Sequence, residues 1–242
     1  MDVRFDRMKI GVVGLVPGAG AGFVSTCLAG ALAETGKYSP ALLELGGEGL
    51  YDVLAMDKHF AGRDYFPFFQ SVAGDRSIRC RNNLLNEVNW VLKSPPEYGI
   101  TLDLLKMIRM ANHTAGDMIL CKIGSMQEED LWRLLWDMDR VLVVIDPLPS
   151  RMLAGHKFLC ALRTSGLPIL YLINKMNGGV SRRELLNYLK LKKPHYLPML
   201  EPEIIYSAEY SCRFPYDLTS SKTRIKKSMN GLIGDLLDVK LP

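Results

Sequence analysis

The sequence has no Cys-x-x-C pair, no histidines at ligand spacing, no internal repeat, no low-complexity tract and no apolar run of membrane-spanning length. Each absence excludes a class. Cys27, Cys80, Cys121, Cys160 and Cys212 lie far apart, which rules out a disulfide framework or a thiolate metal knuckle. Cys27, Cys121 and Cys160 sit among apolar residues and read as reduced core thiols. His59, His113, His156 and His195 give no zinc spacing, so no metal site is assigned. The segment from Met1 to Lys9 is charged, and the apolar run from Ile10 to Val16 is far too short to span a bilayer. A soluble, cytoplasmic protein is expected.

Charge of one sign is also scarce. A formal net charge of +4 over 242 residues is modest, and the basic runs Lys190 to Lys193 and Arg224 to Lys227 are short. They read as solvated surface, and no nucleic-acid partner is expected. One further absence bears on chemistry: no lysine occurs between Lys9 and Lys37.

What is present is a regular alternation. With 48% hydrophobic and 23% charged residues the chain can bury a sizeable core without metal or disulfide, and one domain over residues 1–242 is expected. Strand-length apolar runs at Lys9–Gly14, Ala41–Leu45, Val88–Leu92, Met118–Ile123, Val141–Asp146, Pro168–Asn174 and Tyr196–Leu200 alternate with segments of helical period. The pattern predicts an α/β fold: three layers, a doubly wound and mostly parallel sheet, and helices on both faces. Residues 50–87 resist the alternation and read as an irregular or helical insertion packed on one sheet edge.

Ligands of such sheets bind at the carboxyl ends of the strands. The informative residues there are Gly18, Ala19, Gly20, Ala21, Gly22 and Phe23 after the first strand, Glu44 after the second, and Lys122, Asp146 and Asn174 after later ones. Small residues from Gly18 to Gly22, opening an Ala/Leu-rich helix, let backbone N–H groups approach an anion. Glu44 and Lys122 are expected to form an ion pair, with Asp146 as a third charge. A rival role has Lys122 binding phosphate itself. Asn174 has two readings of equal weight, a cap on the turn into Gly178-Gly179 or a contact to adenine. Ser150 is read as a helix N-cap, and Tyr65 to Phe69 with Trp90, Trp132 and Trp136 as a partner-binding patch, with core packing the alternative for Trp132 and Trp136 at their helical spacing.

The glycine-rich loop, the helix Cys27 to Ala33, the strand Asp139 to Ile145, Ile173-Asn174-Lys175 and Leu197-Pro198 with Ile205 to Glu209 together resemble the MinD/ParA-type ATPases over nearly the whole chain. That family's loop, G-K-G-G-x-G-K-T-T, falls on Leu15 to Phe23, where only Gly18 and Gly20 match. The phosphate-binding lysine falls on Ala21, the magnesium-holding threonine on Gly22 and the signature lysine on Val16. The strand-end Asp falls on Lys122, and the D-x-D after the second strand on Glu44-Leu45-Gly46. The resemblance implies ATP or ADP as ligand, an inactive or slow site with no anchor for Mg2+, a protein partner and a homodimer across the nucleotide face.

Three alternatives stand beside the non-hydrolysing reading. One is weak or partner-activated ATP turnover. Another is a dinucleotide-binding Rossmann protein that uses Gly18-x-Gly20-x-Gly22 and places Glu44 at the ribose. The third concerns the apolar face of Ile225, Met229, Leu232, Ile233, Leu236 and Leu237, which suits a membrane surface but is preferred as a helix packed on the sheet.

Overall fold

The computed structural model describes residues 7–78 and 82–237, excepting the side chains of 219–221. Cys80 lies outside this set. Among the described residues eight strands form one sheet: β1 (Met8–Gly14), β2 (Pro40–Leu45), β3 (Leu84–Leu85), β4 (Val88–Val91), β5 (Met118–Ile123), β6 (Arg140–Ile145), β7 (Ile169–Met176) and β8 (His195–Pro198). Their order is β3-β4-β2-β5-β1-β6-β7-β8, and only β3 runs antiparallel, against β4.

Strand alternation divides the apolar side chains between two cores. Ile10, Val12, Leu42, Leu120, Leu142, Val144 and Leu172 pack on one face, under α1 (Ala21–Glu34) and the last helix. Leu43, Ile119, Cys121, Val141, Val143 and Ile173 pack on the other. That second face lies under α4 (Phe68–Ala73), α5 (Leu104–His113), α6 (Glu128–Trp136), α7 (Pro149–Ala154), α8 (His156–Thr164) and α9 (Arg182–Leu189). Both faces are covered, which is why the strands read as continuous apolar runs rather than alternating ones.

The described residues of the 50–87 segment are more regular than their composition suggests. They form α2 (Leu50–Val53), α3 (Met56–His59), α4 and the edge strand β3. Asn86 and Glu87, at φ 49° and 60°, make the tight turn that returns β3 onto β4. Phe68, Phe69 and Trp90 are buried, and Tyr65 packs edge-on against Tyr51 and Phe60, so these aromatics are core and form no exposed patch.

After β8 come α10 (Pro202–Tyr210) and α11 (Thr219–Leu237). The apolar stripe Ile225, Met229, Leu232, Ile233 and Leu236 is buried in the core that α1 shares. Glu34 at the end of α1 ties the two helices, accepting from Tyr216 Oη at 2.5 Å and pairing with Lys222 and Lys226 at 3.2 Å each. Among the described residues no helix is long and apolar enough to cross a membrane.

Several local expectations are corrected. Trp136 is 60% exposed, whereas its helix neighbour Trp132 packs edge-on against Phe158. Cys160 is exposed on α8, while Cys27 and Cys121 are buried, and burial pushes the Cys121 thiol up to about 12. Ser150 caps nothing: α7 opens at Pro149, and Asp146 Oδ1 accepts from the Leu148 N–H at 3.1 Å.

Candidate functional site

β1 ends in the centre of the sheet between β5 and β6, and the chain leaves it through Leu15 to Gly20 into α1. Gly18 and Gly20 take φ 79° and 99°, left-handed conformations that glycine alone adopts without strain. A Cβ on Gly20 would collide with Asn174 Nδ2. The loop and the start of α1 wall a cleft of about 630 Å³, closed on the far side by Gly46, Gly47, Lys122 and Gly124. Free N–H groups at a helix start and a glycine-lined wall suit an anion.

Lys122 is the one charged residue among the described residues lining that cleft. In the parallel register of β2 and β5 it lies directly opposite Glu44, so both side chains leave the same face at the carboxyl edge. Lys122 Nζ donates to Glu44 Oε1 at 3.1 Å, the pair expected from sequence. Glu44 is fully buried, and its Oε1 also receives the Leu50 N–H at 3.4 Å. Its Oε2 is buried without a hydrogen-bond partner.

Asp146 does not join this pair. It accepts from Lys175 Nζ at 2.7 Å on the other flank of the loop, because β6 and β7 lie beyond β1 from β2 and β5. Lys175, at φ 56°, also donates to the Gly18 carbonyl at 3.0 Å, and Arg151 donates to the Pro17 carbonyl at 3.2 Å. Neither cation was assigned a role from sequence. For Lys175 the signal was its place directly after Asn174 at a strand end.

Asn174 does not cap the turn into Gly178-Gly179. Its Nδ2 donates to the Ala19 carbonyl at 3.0 Å and its Oδ1 accepts from the Lys175 N–H, which pins loop to sheet. The turn cap is Asn177, whose Oδ1 accepts from Gly179 N–H at 2.9 Å. Asn174 also borders a second cleft, of about 540 Å³, with Gly20, Phe23, Met199, Ile205 and Tyr206. Gly20 lines both clefts.

The residues present do not fit a magnesium site. Ala21 and Gly22 carry no donor, and Lys122 presents a cation. The hydroxyls that follow in α1, Ser25 Oγ and Thr26 Oγ1, are buried and donate back to the Gly22 carbonyl at 2.9 Å each. Among the described residues no cluster of acids, histidines or cysteines could hold a metal ion.

No family model matches the chain, and no curated protein matches it. Solved structures do. MinD of the MinC:MinD cell division protein complex from Aquifex aeolicus superposes with a TM-score of 0.73 at 14% identity, over 97% of this chain and 98% of that one. MinD from Pyrococcus horikoshii, complexed with Mg-ADP, gives 0.72 at 16% identity, over 97% and 100%. A ParA family ATPase from Chlorobium tepidum gives 0.70 at 13% identity, over 96% and 99%. Over essentially its whole described length, this chain has the α/β fold of the MinD/ParA-type P-loop ATPases.

Proposed function

We propose that the protein is a binding or positioning component built on this fold, which holds a nucleotide without hydrolysing it and acts through a protein partner. The observation that carries the reading is the Lys122–Glu44 pair: an ammonium and its buried counter-ion occupy the strand ends where a metal-dependent site needs carboxylates facing a cation. A loop without lysine, hydroxyl or metal ligand supplies shape and backbone donors but little charge neutralisation for a transferring phosphoryl group.

Retention of a nucleotide is supported by the two clefts on either side of Gly20. One is glycine-walled at a helix start, and the other is apolar enough to stack a base on Phe23 or Tyr206. Two of the similar structures carry a nucleotide, Mg-ADP in one and AMPPNP in a partition protein from Borrelia burgdorferi. The dinucleotide alternative loses its ribose ligand, since Glu44 is buried in the ion pair. A protein partner or homodimer is supported by exposed Leu148, Leu153, Tyr188 and Met199 around one groove beside the loop, and by the MinC:MinD assembly among the neighbours.

The test is direct. The purified chain should bind ATP or ADP in calorimetry and native mass spectrometry, yet release phosphate with magnesium at the background rate. Magnesium-dependent turnover would sink the non-hydrolysing reading, and binding of NAD alone would replace it with the dinucleotide one.

A further inference from the structure

The two clefts set a direction for a nucleotide, and the far end of that path is unusual. The apolar cleft lies at the β7–β8 side and touches the loop at Gly20, whereas the glycine-walled cleft runs from there across β1 to Lys122 at the β5–β2 side. A base seated in the first extends its phosphates along the loop toward Lys122. The leading phosphates meet backbone N–H groups at the start of α1. A terminal third phosphate reaches Lys122.

That lysine is already committed. Glu44 is fully buried, Lys122 is its only ion-pair partner among the described residues, and its Oε2 has no hydrogen-bond partner. Among the described residues no second cation lines this cleft, and Arg151 flanks the loop outside it at the Pro17 carbonyl. Lys93 is paired with Glu48 at 3.2 Å, and Asp52 accepts from Tyr98 Oη at 2.5 Å. Lys122 Nζ keeps further N–H donors for a terminal phosphate, but its charge is already offset by the buried Glu44 carboxylate, so that phosphate gains little net neutralisation and meets a second negative charge nearby. A diphosphate does not meet this problem.

We propose, resting on the nucleotide reading above, that this site selects nucleoside diphosphates over triphosphates and that Glu44 is the residue that imposes the choice. The carboxylate acts as a built-in competitor for the cation that a third phosphate would need. Gly47 makes room for the ammonium in this pairing, since a Cβ there would stand 3.1 Å from Lys122 Nζ.

The experiment is a calorimetric titration of the full chain with ADP and with ATP, in chelator, for the wild type and Glu44→Gln. ADP should bind the wild type at least about tenfold tighter than ATP, the scale of one uncompensated charge in a partly solvated cleft. In Glu44→Gln the neutral amide leaves Lys122 free for the terminal phosphate, and the ratio should fall to within about threefold. Equal affinities in the wild type would overturn the proposal while leaving nucleotide binding intact, whether or not the variant folds. An unchanged ratio in a folded variant would overturn it too. Failure of both nucleotides to bind would remove this inference together with the nucleotide part of the proposed function.

Discussion

At the scale of single residues the site is governed by which charges have partners. Lys122→Ala strands the Glu44 carboxylate in a fully buried position, and loss of one partner from a buried pair costs about 3 kcal/mol or more. Urea unfolding of Lys122→Ala should show a loss of that order, while the double variant Glu44→Gln with Lys122→Met should recover most of it. Equal losses in both would mean that the pair matters by shape rather than charge. Gly20→Ala probes the loop itself. With φ at 99° and Asn174 Nδ2 in the way of a Cβ, the substitution should destabilise by about 2 kcal/mol, again read from unfolding midpoints. A neutral effect would show that the loop relaxes freely, and a preformed anion cradle would be untenable. The pairing of Glu44 with Lys122 was legible from sequence because both close parallel strands. Asp146 was misjudged because strand order, which sequence does not display, puts β6 across β1 from β2.

Elements were read more fully than their contacts. The strand at Met118–Ile123 coincides with the observed bounds, since its apolar run marks it locally. The edge strand β3 was missed: two residues carry no periodicity, and the turn at Asn86 and Glu87 uses left-handed residues other than glycine. Tertiary contact also decides the tie between α1 and α11. Hydrogen bonds from Tyr216, Lys222 and Lys226 hold the Glu34 carboxyl down at about 2, against an ordinary 4.5. A depressed folded-state value means that this stabilisation is fully present above about 4.5 and disappears as pH falls toward about 2. Asp217 works in the opposite sense, because burial raises its carboxyl and ionising it there weakens the fold. Glu34→Gln should therefore flatten the acid limb of stability between about pH 5 and about pH 3, measured by urea unfolding at each pH. An unaltered acid limb would show that the tie contributes nothing net.

For the whole molecule the sequence settled the architecture. Apolar strands separated by helix-length segments, with polar or glycine-rich turns between, permit little besides a parallel sheet covered on both faces, and the superposition on MinD and ParA structures agrees. The same sequence also fixed what the loop lacks, since no folding can supply a lysine, a threonine or an aspartate at positions held by Ala21, Gly22 and Lys122. Tertiary structure alone decided how those gaps are filled. The strand register brings Lys122 onto Glu44 and buries the carboxylate, strand order sends Asp146 to Lys175, and Asn174 is drawn onto the Ala19 carbonyl. The physical reason is range. Propensity, turn chemistry and missing side chains act within a few residues, whereas the partner of a charge depends on residues 78 positions away for Glu44 and 155 away for Asn174, brought close only when the sheet assembles.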